Sequence, residues 1–275
     1  MDFDLGTILF YGGIGLIVGS FLNVLILRAG TGSNVGGRSQ CMACQKQLKW
    51  YHLVPVVSFL VLRGRCGFCG SRISLQYPVV ELVTAVAFAM VGLVGLPLVP
   101  QVIAYLCIAL LVAISVYDIK HTIILNQWVY SFAALALLYA ITLMMPQSAV
   151  EWATVLLSGP LIAFPLWALW FVSKGTWMGF GDVKLALGIG WFLGPFYGLV
   201  ALFGAFILGA IISVSLLILL PRFLAILPLH KHSLVTSHAG FTMKSEVPFG
   251  PFLTCSCFIV WFVHSMGILI PFVLF

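Results

Sequence analysis

Long runs of residues without charge dominate the chain and fix its class of fold before any motif is considered. A hydrocarbon layer takes about 20 helical residues to cross. Apolar runs of that order fall at approximately residues 5–27, 79–96, 99–117, 124–145, 151–172, 183–195, 197–221 and 249–274. The sixth is short, so "GPFYG" (Gly194 to Gly198) reads as a break between two helices, with Gly and Pro supplying the turn. Hydrophobic residues make up 62% of the 275 and charged residues 7%, where a soluble domain carries about 25% charge. The expected fold is an all-α polytopic membrane protein of about eight transmembrane helices, and a soluble globular enzyme is excluded.

The few charges give the expected orientation. Of 13 Lys and Arg, seven (Arg28, Arg38, Lys46, Lys49, Arg63, Arg65, Arg72) lie between the first and second runs. Lys120, Lys174, Lys184, Arg222, Lys231 and Lys244 lie in or beside the loops after the third, fifth and seventh, and the alternate loops carry none. Basic loops face the cytoplasm, which puts both termini outside and the protein in a membrane that borders the cytoplasm. The net charge of +6 then reports topology and contact with anionic headgroups, and no nucleic acid is needed to explain it. The first run follows "MDFDLG", acidic where a signal peptide is basic, and leads into a basic loop; it is expected to remain as an anchor.

Residues 28–78 form the one sizeable segment outside the membrane, between a first helix at 1–27 and a membrane domain at 79–275. The segment contains "CMAC" (Cys41, Cys44) and "CGFC" (Cys66, Cys69). Two Cys-x2-Cys knuckles at this separation are the pattern of a zinc ribbon, four thiolates completing a tetrahedron. The glycines at 64, 67 and 70 suit tight turns around the second knuckle. A reducing compartment disfavours the rival pair of disulfides, and a segment this poor in large apolar groups needs a metal to fold. The expected ion is structural Zn2+, because four protein ligands leave no position for water. Cys107, Cys255 and Cys257 read as small buried hydrophobes.

Only seven acids exist, so each can be weighed. Asp2, Asp4 and Glu151 read as surface charges on the outer side; Glu81, Asp118, Asp182 and Glu246 lie near the basic face. Asp118, in "ISVYDIKHTIILN", ends the third run, and Asp182, in "GFGD" (Gly179 to Asp182), opens the sixth. Both are therefore expected at one depth, where an ionisable group is costly and usually functional. Asp182 is also placed to cap its helix, and Asp118 to cap the next segment or pair with Lys120. A helix N-terminus would favour the ionised form of Asp182 and a C-terminus the protonated form of Asp118. That contrast suits one group to activate water and the other to polarise a peptide carbonyl. Gly179 and Gly181 would supply backbone conformations closed to other residues and let a substrate strand approach.

At these residues the sequence resembles the type IV prepilin peptidases, GxGD membrane aspartyl proteases whose bifunctional members also N-methylate their product. The likeness runs through "GSFLNV" (Gly19 to Val24), both cysteine pairs, "LKWYHLVPVVSFLVLRGRC" between them and "RISLQYPVVELVTA". It continues through Asp118, "GFGD" and "VPFGPFL" (Val247 to Leu253). It implies Asp118 and Asp182 as a catalytic dyad cutting the basic leader of prepilins or pseudopilins after a glycine, at the cytoplasmic face. It also implies methyl transfer from S-adenosylmethionine to the new N-terminus, with the zinc-bearing loop serving that second activity. Two positions depart from the family's pattern: "CMAC" lacks a proline that often follows the first cysteine, and Asn126 stands where many members have aspartate.

Residues for methyl transfer are harder to place, because no glycine-rich nucleotide fingerprint occurs. The candidates are Glu81, which could bind a ribose hydroxyl or the new amine, with Asn23, Arg28 and Arg72 nearby; the plainer account pairs Glu81 with Arg72 or Arg28. Lys244 reads as a snorkelling lysine, His230, His232 and His238 as solvated loop, and His121 as a loop residue beside Asp118. The alternatives are a proteolysis-only peptidase with a structural zinc loop, and a transporter or assembly scaffold. The latter should show midplane acids and repeated halves, and neither is present in the sequence.

Overall fold

The computed structural model describes residues 5–29, 37–226 and 248–268, the side chains of 216–226 excepted. Asp2, Asp4, His230, Lys231, His232, His238, Lys244 and Glu246 lie outside the described residues, as does the side chain of Arg222. The helices are α1 (Leu5–Arg28), α2 (Val57–Val61), α3 (Gln76–Val94), α4 (Leu98–His121), α5 (Asn126–Met144), α6 (Ala149–Ser173), α7 (Phe180–Ile226) and α8 (Gly250–Ser265). No strand occurs among the described residues, only single antiparallel bridges at Gln40–Gln47 and Arg65–Arg72. Six helices are long and apolar enough to cross a membrane, and α8 is a shorter apolar helix.

The 47 residues of α7 would extend about 70 Å if straight, more than twice a hydrocarbon core. They do not run straight. Gly194 has φ 76° and ψ 178°, a conformation essentially confined to glycine, and Pro195 opens the second arm. A Cβ on Gly198 would stand 3.5 Å from the Cα of Gly190, although a straight helix would separate these residues by about 12 Å along its axis. The two arms therefore fold back on each other. The expected break falls at the first residue of "GPFYG", and with it eight apolar segments pack side by side.

Buried α4 lies at the centre: Ala104, Cys107 and Ala113 are wholly inaccessible. The second arm of α7 runs antiparallel to α8, since Ser256 Oγ donates to the Ala201 carbonyl at 2.7 Å and Gly209 faces the Phe252 ring. Cys107 and Cys257 are buried as expected, while Cys255 is exposed. Large apolar side chains such as Leu9, Ile17 and Phe21 of α1 and Leu161, Phe164 and Phe171 of α6 point outward. With hydrocarbon as solvent that surface carries no penalty, and the helices satisfy their own backbone groups.

Where lipid tails are as apolar as the side chains, helices associate through close packing of small residues. Gly19 of α1 lies so near α3 that a Cβ on it would fall 2.7 Å from the Glu81 Cα, and a Cβ on Gly190 would overlap the Ser158 carbonyl oxygen of α6. Replacing Gly190 by Leu is expected to destabilise the protein by about 1–3 kcal/mol or more. Gly13→Ala, which meets open space, should leave the unfolding midpoint in detergent unchanged; equal midpoints for the two variants would contradict the packing.

Candidate active site and metal centre

Asp118 and Asp182 come together at one end of the bundle. Helix α4 runs one turn further than the apolar pattern suggested, so Asp118 stands within its last turn. Thr122, in the left-handed conformation, ends that helix by donating its N–H to the Asp118 carbonyl at 2.8 Å. Asp118 is 4% exposed and Asp182 7%, and the two carboxylates are close enough to interact electrostatically. Ile124 lies between their supports: a Cβ on Gly181 would meet the Ile124 Cβ at 2.9 Å, and one on Gly250 would meet its Cδ1 at 3.4 Å. One turn deeper, the hydroxyls of Ser115 and Thr254 hydrogen-bond, pinning α4 to α8.

Two local expectations need correction. Asp182 is the third residue of α7 and not its N-cap; it donates its own N–H to the Gly179 carbonyl at 3.2 Å, while its carboxylate still accepts a backbone N–H of the helix start, that of Gly179. Asp118 is not left against the negative end of α4 alone, and it pairs with neither Lys120 nor the following segment. Its Oδ2 accepts the Gly250 N–H at 3.1 Å, at the start of α8. Both carboxylates thus face the positive end of a helix, while Asp118 also keeps its place in the last turn of α4. Nor do Gly179 and Gly181 take positive φ. Gly181 is required by the close approach of Ile124, whereas Gly179 has only Asp182 Oδ2, at 3.9 Å, and a backbone nitrogen near it. Gly250 and Ile124 were missed by sequence reasoning, for "VPFGPFL" gives only the sign of a helix start.

The four cysteines meet as the spacing predicted. Their Sγ atoms all lie within 4.8 Å of one another, with Cys41 and Cys69 at 3.9 Å. A tetrahedral Zn2+ with bonds of about 2.3 Å sets its sulfurs about 3.8 Å apart, so the donor set fits. All seven cysteines are unbridged. The two knuckles are near copies. Cys41 and Cys66 each donate an N–H to the carbonyl five residues on, Lys46 and Ser71, and accept one from four residues on, Gln45 and Gly70. Gln45 and Gly70 both take positive φ, as does Gly64, while Gly67 does not. Backbone N–H groups of Cys44 and Ala43 hold the Cys41 thiol down at about 6, and the Ser71 hydroxyl and N–H lower that of Cys69. Thiolates are the form that binds metal, and Ser71 supplies the outer hydrogen bonds that orient such ligands.

The four residues suggested for methyl transfer divide. Asn23 donates to the Gly19 and Tyr77 carbonyls and accepts from Gln76. Glu81, 6% exposed, pairs with neither arginine: it accepts the Val56 N–H at 2.7 Å and is bonded by Ser20. Arg28 donates to the Gly37 carbonyl, and Arg72 stands in the backbone bridge that closes the second knuckle. Asn23 and Glu81 therefore share the α1–α3 junction, and no contact joins Arg72 to them. Val56 has φ 59° and ψ −48°, an outlier for a β-branched residue that costs about 1–3 kcal/mol. Elsewhere, exposed His121 packs at a tilt against the Tyr117 ring, and Lys184 donates to Asn126 Oδ1 at 2.6 Å, tying α7 to α5.

A helical membrane bundle with a buried carboxylate pair at one end and a four-cysteine module at the same end defines a class, the polytopic membrane proteins with an interfacial polar site. The chain belongs to the type IV leader peptidase family. The model of the bacterial Peptidase A24 N-terminal domain matches residues 14–94, and that of the type IV leader peptidase family matches residues 105–214. A prepilin leader peptidase/N-methyltransferase of Bacillus subtilis (strain 168) is 36% identical over 201 residues, 72% of this chain and 78% of that one. The type 4 prepilin-like proteins leader peptide-processing enzyme of Escherichia coli O78:H11 is 32% identical over 205 residues, 66% and 75% of the two chains. A prepilin leader peptidase/N-methyltransferase of Myxococcus xanthus is 34% identical over 214 residues, 74% of this chain and 62% of that longer one. No solved structure matches.

The metal centre makes a direct prediction. Purified protein should hold about one zinc per chain by elemental analysis, and Cys41→Ser or Cys66→Ser should remove nearly all of it. Because the module folds with its metal, both variants should be cut by protease between residues 37 and 75, where the zinc-bound protein resists.

Proposed function

We propose that the protein cleaves the leader of type IV prepilins or pseudopilins at the cytoplasmic face of the inner membrane and then N-methylates the new N-terminus. One observation carries the peptidase reading: Asp118 and Asp182, 132 and 68 residues from Gly250 in the sequence, are buried together where α4, α7 and α8 meet. Two like charges at such a site share a proton more readily than both ionise. The ionised carboxylate takes a proton from water as its oxygen attacks the carbonyl carbon of the scissile peptide, and the protonated one donates to the carbonyl oxygen. Collapse breaks the C–N bond and passes a proton to the leaving nitrogen, which becomes the free amine of the mature pilin. The Gly250 N–H fixes the Asp118 carboxylate, so the pair is oriented before substrate arrives.

The cytoplasmic assignment follows the basic loops, whose described residues, between α1 and α3, after α4 and after α6, meet this end of the bundle. The methyl-transfer reading rests on the resemblance and on the cysteine module joined to α1 and α3, the segment matched by the N-terminal domain model. S-adenosylmethionine, when bound, supplies an activated methyl group to an unprotonated amine. Asn23, Arg28 and Glu81 are engaged in intramolecular bonds and form no ready cradle for it, so no donor pocket is assigned to them. Zinc shapes the module and takes no part in bond making, since its four thiolates leave no open position.

Asp118→Asn and Asp182→Asn should each lower cleavage of a prepilin by at least about 10²–10⁴-fold with helicity and zinc content unchanged; retained cleavage in either removes the dyad. In Gly250→Ala, the added Cβ falls 2.5 Å from Asp118 Oδ2 and should cost at least about tenfold in kcat, read by mass analysis of the product.

A further inference from the structure

The Val56 outlier has a specific partner. Val57 donates its N–H to the Pro55 carbonyl at 2.5 Å, which with φ 59° and ψ −48° at Val56 makes a γ-turn of the rare, strained hand. Strain of this kind persists only where surrounding structure holds it, and it gathers at functional positions. Here the holder is Glu81, whose Oε2 takes the Val56 N–H at 2.7 Å. Glu81 is itself immobilised, by Gly19 packed against its Cα and by the Ser20 hydroxyl on its carboxylate.

From Val56 the constraint passes directly to the metal module. Helix α2 begins at the next residue. Its Phe59 lies 3.0 Å from where a Cβ on Gly64 would be, and Leu62, just past its end, lies 3.4 Å from the same point at Gly67, within the second cysteine knuckle. The Glu81–Val56 hydrogen bond therefore links α3 to the second cysteine knuckle, while the Arg28–Gly37 bond links α1 to the start of the module. The described supports of Asp118 and Asp182 come instead from α4, α7, α8 and Ile124.

We propose that Glu81 is a positioning residue: by accepting the Val56 N–H it sets the cysteine module on the α1–α3 face, and methyl transfer depends on that placement while leader cleavage does not. This rests on the methyl-transfer reading above. The role needs an acceptor oxygen, not a charge, and it acts through the backbone of Val56 without touching substrate.

The test uses full-length protein in detergent, with a prepilin and labelled S-adenosylmethionine, reading cleavage and methylation separately by mass. Glu81→Ala, with no acceptor, should lose about 10²-fold in methylation and keep cleavage within about twofold of the original. Glu81→Gln, whose amide oxygen still accepts the N–H, should keep most methylation. Val56→Gly added to Glu81→Ala should restore part of it, since glycine takes the turn without strain. Amide exchange across residues 54–62 reports the latch without either activity: protection should fall in Glu81→Ala and hold in Glu81→Gln. Methylation equally lost in the Gln and Ala variants overturns the proposal in favour of a charge acting on substrate, and so does cleavage lost in step with methylation. Unchanged exchange in Glu81→Ala overturns it whatever the activities. Cleavage without methylation by the original protein removes the methyl-transfer reading, and with it any service of the latch to that reaction, even where exchange responds as expected.

Discussion

Hydrocarbon offers no partner to a backbone N–H or C=O, so every segment that enters it must satisfy its own. That single demand produces the eight apolar arms, and it also decides where chemistry can occur. A carboxylate inside the layer is costly, and a folded loop cannot lie there unless buried in protein. Polar function is pushed to the helix ends, and α1, α3, α4, α5, α6, α7 and α8 all present an end to the same region. The carboxylate pair and the four-cysteine module both lie at helix ends, on the same face of the bundle.

Within that region, helix ends do more than stop. The start of α8 offers its free N–H to Asp118 across the bundle, and the start of α7 holds Asp182 in its first turn. Asp118 is thus set against the positive end of a helix other than its own, and Asp182 lies at the positive end of its own. Dipole arguments made one helix at a time predicted an asymmetric pair. The packed bundle adds a second influence, the Gly250 N–H on Asp118, so the division between water activation and carbonyl polarisation is set by the whole junction of α4, α7 and α8.

The contrast shows what a sequence can and cannot carry. Apolar runs and Cys-x2-Cys spacing are local patterns, and the helices and the tetrahedral cluster of Cys41, Cys44, Cys66 and Cys69 followed from them directly. The meeting of Asp118 with Asp182 was legible too, but only after charge had placed both at one depth. The Gly250 N–H was not, because it joins residues 132 apart and a backbone donor leaves no mark in side-chain chemistry. Val56 was hidden for the opposite reason. Its residue type argues against the turn it occupies, and the turn exists because a distant glutamate holds it. Glu81 did stand out as an acid at depth, yet its partner is an amide where a basic residue was anticipated.

Cleavage and methylation place different demands on the site. Peptide hydrolysis requires a water and two carboxylates held within a fixed bundle, whereas methyl transfer requires only that a neutral amine meet a donor in line. Where the amine that cleavage releases belongs to a chain still anchored in the bilayer, the product does not diffuse into bulk water. Its effective concentration at a second site on the same face is set by geometry, as for any tethered ligand. A module held between two membrane helices by the Glu81–Val56 and Arg28–Gly37 bonds is suited to that task. Its described bonds run to α1 and α3, whereas those of the carboxylate pair run to the starts of α7 and α8.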